Sequence, residues 1–188
     1  MAEVIYQKYV NHVPLYRQEQ EWKGRDVAFS RTTMANWTIR CAEDWLVPVW
    51  EAMRKELLQR EVLHADETTV QVLKEKGKAP TTKSYMWLYC TGNDGLPPIV
   101  LFDYKTSRSG DNAKAFLEGF HGYLHTDGYA GYNKVPGITR CGCWAHLRRK
   151  FVEAMPLESN CPSPARIGRD LCDQLFACLL YTSDAADD

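Results

Sequence analysis

Three runs of strand-type residues constrain this chain more than any other feature. Val62–Leu73, Ser84–Cys90 and Pro98–Tyr104 are rich in β-branched and aromatic residues. They are joined by a charged, Gly-containing segment, Lys74–Lys83, and by Gly92-Asn-Asp-Gly95. Both connections are too short for a parallel crossover, so the three strands form an antiparallel meander. Ser109-Gly-Asp111 then caps a helix whose buried face is Ala113, Phe116, Leu117 and Phe120. A fourth strand, Tyr123–Asp127, is reached through that helix, which predicts parallel pairing with the meander. A fifth, Ile138–Trp144, follows another connection. An amphipathic helix over Ala145–Met155 places Leu147, Phe151 and Ala154 on one face and His146, Arg149, Lys150 and Glu153 on the other. The succession predicts a mixed α/β layer fold.

Residues 1–60 follow a helical period instead. Ser30 has the form of an N-cap, with Met34, Trp37, Cys41 and Trp45 behind it at helical spacing. Pro48 suits the first turn of a further helix carrying Val49, Trp50, Met53 and Leu57 along one face. Val10–Glu21 predicts a shorter helix ending near Gly24. A short helix, a Gly-containing connection and a capped second helix resemble a helix-turn-helix, which would put Arg31, Thr32, Thr33 and Asn36 where such helices meet DNA. A plain helical hairpin accounts for the same pattern. The expected organisation is a helical region over 1–60, an α/β core over 61–156 and, over 157–188, a loop (Ser159–Pro164), a helix (Ala165–Leu180) and a tail.

The chain has 188 residues, 45% apolar and 12% aromatic, enough to bury a core and to exclude disorder. No apolar run approaches the ~18 residues of a membrane span, and the first residues lack a signal pattern, so a cytoplasmic, membrane-free protein is expected. The net charge of −1 hides a gradient: residues 1–60 carry +1, 61–156 carry +2 and 157–188 carry −4. A polybasic DNA-coating protein is excluded, but a local basic cluster is not. Seven scattered cysteines read as reduced thiols. Cys141-Gly-Cys143 with His146 resembles half a zinc site, but no second half follows at pairwise spacing, so buried or strand cysteines are the simpler reading.

Two aspartates stand out. Alternation puts Asp66 on one strand face with Val62, His64, Thr68 and Val70, and Glu67 on the other. Asp127 ends the fourth strand before Gly128. With that strand beside the first, both carboxylates converge at one sheet edge, within about 4–7 Å, close enough to share a hard divalent cation. Spacing alone equally allows a strand-end cap and a strand aspartate paired with Arg or Lys. The basic cluster on the following helix is likewise either a phosphate contact or a solvated face.

The runs Leu63-His-Ala-Asp-Glu-Thr-Thr69, His125-Thr-Asp-Gly-Tyr-Ala-Gly-Tyr132 and Cys143-Trp-Ala-His-Leu-Arg-Arg-Lys-Phe151 resemble those of the insertion sequence 66 family of DDE transposases. Lys8-Tyr-Val-Asn-His-Val-Pro-Leu-Tyr-Arg17 and Leu46-Val-Pro48 are also similar to it, and the likeness spans about Tyr6 to Ala177. The resemblance implies a ribonuclease-H-like core, with Asp66 and Asp127 as the first two carboxylates of a triad holding Mg²⁺ or Mn²⁺. It implies DNA hydrolysis at an element end followed by strand transfer into target DNA, by a homo-oligomeric, nucleoid-associated prokaryotic enzyme. His146 and Arg149, one turn apart, are then candidates for the scissile phosphate, and Arg148, Arg149 and Lys150 for DNA phosphates. A third acidic residue belongs on a later helix, for which Glu153 and Glu158 come too early. The text after Ala177 departs from the family, and its upstream zinc-binding region has no counterpart. These departures lead us to expect a fragment, inactive by itself. Two alternatives stand beside this reading: a non-catalytic DNA-binding or dimerisation module, or another ribonuclease-H-like nuclease.

Overall fold

The computed structural model describes residues 1–156 and 163–184. It divides into two compact units, Met1–Glu56 and Leu57–Asp188.

The first unit is helical: α1 (Ala2–Tyr9), α2 (Leu15–Gly24), α3 (Arg31–Cys41) and most of α4 (Val47–Leu57). Ser30 caps α3 as expected, its Oγ accepting the Thr33 N–H at 3.1 Å. Two expectations change here. The expected Val10–Glu21 helix begins only at Leu15 and runs to Gly24, because Val10–Pro14 is the connection from α1, where His12 adopts φ 57° and Pro14 leads into α2. Pro48 does not start a separate helix either. The chain runs from α3 into α4 through a π-helical turn, Ala42–Leu46. Proline lacks the N–H for Asp44 O and would crowd that carbonyl, and widening the preceding turn to i→i+5 bonds relieves both. Gln18, fully buried, donates to Val4 O at 3.2 Å and Val13 O at 3.0 Å, tying α2 to α1. Trp22, Phe29 and Trp37 stack edge to face at 5.7 and 5.0 Å and close the α2–α3 turn.

The second unit carries a five-stranded mixed sheet of order β3-β2-β1-β4-β5. Its strands are β1 (Val62–Gln71), β2 (Lys83–Thr91), β3 (Val100–Lys105), β4 (Tyr123–Thr126) and β5 (Thr139–Gly142). β1–β2 and β2–β3 pair antiparallel, while β1–β4 and β4–β5 pair parallel. Both expected short turns and the expected helical crossover are therefore present. One sheet face is the core: Leu63, Ala65, Trp87, Tyr89, Leu101 and Leu124 are buried there. Over it lie α5 (Gly110–Phe116) and a 3₁₀ turn, Ala130–Lys134. Tyr89 stacks on Phe116 at 3.7 Å, and Trp87 meets Tyr132 edge to face at 5.8 Å. The four apolar residues expected beneath α5 are all buried, although the helix stops at Phe116.

Gly110 permits this arrangement. A Cβ there would lie 2.2 Å from Gly131 O, so α5 and the 3₁₀ turn touch backbone to backbone. Lys134 Nζ bonds Asp111 at 2.9 Å across the same junction.

After β5 come α6 (Trp144–Glu153) and α7 (Pro164–Asp184). They pack together where Gly168 meets the Phe151 ring, a contact that any Cβ would obstruct at 2.5 Å. Of the expected Ser159–Pro164 loop, residues 159–162 lie outside the described residues, as does Glu158, and Pro164 already begins α7. Among the described residues, six cysteines are free, and no helix is long and apolar enough to cross a membrane.

Candidate metal and nucleic-acid site

Strand register builds the site. β1 and β4 pair in parallel with His64 opposite His125. Asp66 lies two residues further along β1, and Asp127, the first residue after β4, two residues past His125, so alternation puts both on the side of that histidine pair. Neighbouring strands are about 4.8 Å apart, and the pairing runs as far as His64 and His125, so Asp66, midway along β1, and Asp127, just past the end of β4, both follow from the paired segment. Asp66 is exposed, and its Oδ1 accepts the Glu67 N–H at 2.9 Å. Asp127 Oδ1 accepts the Tyr129 N–H at 2.9 Å, which fixes the turn through Gly128. Each carboxylate keeps lone pairs free for another partner.

Both aspartates line a cavity of about 160 Å³ with His64, His125, Cys143 and His146. The His64 and His125 Nδ1 atoms are 3.1 Å apart, one donating to the other. Burial, and secondarily the neighbouring His125, hold His64 below its ordinary pKa, favouring the neutral ring that such a pair requires.

The opposite face of β1 holds what the sequence did not reveal. Glu67 points into the core, its side chain fully buried. Arg108 Nε donates to its Oε1 at 2.7 Å, Nη2 makes an ion pair with the same oxygen at 2.6 Å, and the Tyr132 hydroxyl donates to Oε2 at 2.6 Å. Burial, then this carboxylate, push the Tyr132 phenol far above its usual pKa, so it stays a donor. The Arg108 guanidinium also lies 4.0 Å from Asp127 Oδ2 and 4.1 Å from the Tyr129 ring centre. Alternation did expose one clue: Glu67 shares its face with buried Leu63 and Ala65, where a carboxylate must be paired. Its partner, 41 residues away, had no local signature.

α6 departs from its expected orientation. His146 is half-buried with Nδ1 inside, whereas Leu147 is 41% exposed. α7 packs along the Phe151 side and turns the imidazole towards the strands. Arg148, a candidate for DNA phosphates, forms an ion pair with Asp173 on α7. Lys150 pairs with Glu153 at 2.7 Å, and Arg149 is exposed. His146 thus joins Asp66 and Asp127 in one cavity, while Arg149 does not line it. In the helical unit, Arg31 pairs with Glu19 at 2.8 Å and lies over the Tyr16 ring, and Asn36 is exposed on α3.

A larger cleft of about 1020 Å³ adjoins the small cavity and shares Asp127, Cys143 and His146 with it. Among the described residues, no group of three or more His, Cys, Asp or Glu side chains is placed to hold a metal ion. The Cys141–Cys143–His146 half-site accordingly gains no further ligand.

A sequence profile described as "Transposase IS66 family" matches residues 1–184. Three proteins of Sinorhizobium fredii, all described as uncharacterized, are similar. y4qI is 32% identical over 167 residues, 81% of this chain and 31% of that protein. y4hP is 27% identical over 182 residues (91% and 32%), and y4jD 30% over 173 (85% and 33%). The chain thus spans about a third of the length of the curated relatives it matches. The profile match continues past Ala177, as α7 does, which corrects the expected loss of resemblance as far as residue 184.

Proposed function

Because the chain belongs to the IS66 family of transposases, we propose that its second unit is the ribonuclease-H-like core of an enzyme that cuts DNA at element ends and joins it to a target. In this reading Asp66 and Asp127 hold Mg²⁺ or Mn²⁺. The supporting observation is that Asp66 and Asp127 line one cavity, each just beyond the part of β1 and β4 that pairs in parallel. Their chemistry fits a hard cation. Mg²⁺ is commonly held by one or two carboxylates, with water and substrate phosphate filling the remaining positions. A cation bound there supplies charge stabilisation at the phosphodiester.

The protein's own groups do the rest. Arg108, neutralised by Glu67 and close to Asp127, holds the Asp127 turn in place. His146 lines both cavities and is the imidazole placed to meet a phosphate oxygen or bound water there. Arg149 and Lys150 contact the DNA backbone from the exposed side of α6, with Arg148 contributing less because Asp173 already neutralises it. Arg31 and Asn36 on α3 supply a second DNA contact. DNA is the partner, and the full-length protein acts in the cytoplasm as a homo-oligomer at the nucleoid.

Titration with Mn²⁺, followed by electron paramagnetic resonance, tests the metal assignment without any need for turnover. We expect one ion per chain, bound at least tenfold more weakly after Asp66→Asn or Asp127→Asn. Unaltered affinity in both variants overturns the assignment.

A further inference from the structure

We propose that the cleft beside the two aspartates is a binding site for an unpaired nucleotide, whose base stacks on Trp144. This inference rests on the reading of the site as one that acts on DNA. Trp144 opens α6, the first residue after its N-cap, and half of its surface is exposed at the cleft wall. An indole left this open beside a cavity is an unused stacking surface. Tyr129 provides a second ring on the same cleft, held by its hydroxyl on Arg108 O and by the guanidinium over its face. The volume, about 1020 Å³, lies at the top of the range of about 300–1,000 Å³ that takes small organic ligands, and admits a base with its sugar and phosphate.

Charge identifies the occupant further. Arg140 reaches the cleft from β5, and its guanidinium bonds neutral oxygens: Thr126 Oγ1 at 3.0 Å, Asp127 O at 2.8 Å and the Asn133 side-chain oxygen. Its positive charge therefore remains available to a phosphate, whereas Lys150 at the same cleft is already paired with Glu153. Aromatic faces combined with cations are the pattern that binds single-stranded nucleic acid with little sequence preference. Continuity gives the site its purpose. Because Asp127 and His146 line both cavities, a nucleotide seated on Trp144 carries its phosphate to the paired aspartates. A strand within a duplex cannot fill this cleft with its bases stacked, so the substrate must arrive frayed or have a nucleotide extruded.

The test uses DNA carrying 5-iodouracil in a single-stranded overhang, with a blunt duplex for comparison, and is done in EDTA. Metal binding then plays no part, so failure here and failure of the Mn²⁺ titration are separate results. We expect the overhang to bind more tightly than the blunt duplex and to photo-crosslink to Trp144 or Tyr129 in the unaltered chain. Trp144→Ala should weaken overhang binding about 5- to 150-fold, as expected for one lost stack, while Trp144→Phe stays within about threefold. Equal overhang binding by a folded Trp144→Ala protein overturns the proposal. So do crosslinks confined to residues outside the cleft, a result that does not depend on how any variant folds.

Discussion

Replacing Arg108 with alanine should destabilise the second unit by about 3 kcal/mol. The Glu67 side chain is fully buried, and the guanidinium supplies both a hydrogen bond and an ion pair to it. Without Arg108 the carboxylate keeps only the Tyr132 hydroxyl, and removing one partner from a buried pair costs about 3–5 kcal/mol. Arg108 is itself 45% exposed, so water can reach the gap and the lower end applies. For a unit of this size that loss lowers the melting temperature by about 10 °C. Glu67→Gln removes the buried charge while its amide oxygen still accepts a hydrogen bond, and should cost only about 1 kcal/mol. In the double variant no buried charge is left uncompensated, so it should be more stable than Arg108→Ala alone. Urea unfolding followed by circular dichroism supplies all four corners of this cycle. A double variant as unstable as the sum of the two single changes would show that Glu67 and Arg108 do not act as a pair.

Four further outcomes are expected. Gly110→Ala should cost about 2–3 kcal/mol by the same assay, because its Cβ meets main-chain Gly131 O at 2.2 Å, whereas Gly24→Ala, with open space around it, should change stability by less than about 0.5 kcal/mol. The Ser84 and Tyr104 hydroxyls and Lys78 hold the Glu75 carboxyl below its ordinary pKa, as Arg60 does for Asp94. The stability these contacts add is present above about pH 4.5 and is lost as the pH falls through the depressed values, so Glu75→Gln should flatten the acid limb of a stability–pH curve. DNA binding should be weak and strongly salt-dependent, and replacing Arg149 and Lys150 together should lower the slope of log K against log salt by about 1–2, read by fluorescence anisotropy. Finally, any nicking of DNA by this chain with Mg²⁺ or Mn²⁺ should be abolished by Asp66→Ala and by Asp127→Ala; nicking that survives both changes would contradict the role given to these carboxylates.

Much of the sheet was legible because its signals are local. Short turns forced the β1–β3 meander, and a helix between Phe102 and Leu124 required a crossover. The burial of Ala113, Phe116, Leu117 and Phe120 followed from helical spacing alone. Departures occurred where local signals met a distant partner. Pro48 looked like a helix start, but the π turn before it absorbs the missing N–H and lets one helix continue. His146 looked solvent-facing until α7, which covers the Phe151 side of α6, determined which way that helix faces. Arg148 belonged to a basic triplet by sequence, yet Asp173 neutralises it from 25 residues away. Asp66 and Asp127 could be singled out from strand period and position, but the Glu67–Arg108–Tyr132 group behind them could not, because three separate segments build it.

Anomalous diffraction from crystals soaked in Mn²⁺ would locate the ion itself. The predicted result is a single strong peak within about 2.0–2.3 Å of carboxylate oxygens of both Asp66 and Asp127, at the mouth of the small cavity and lost in Asp66→Asn crystals. A peak ligated elsewhere, for example by Cys143 and His146, with neither aspartate in contact, would contradict the assignment of these two carboxylates as the metal-binding pair.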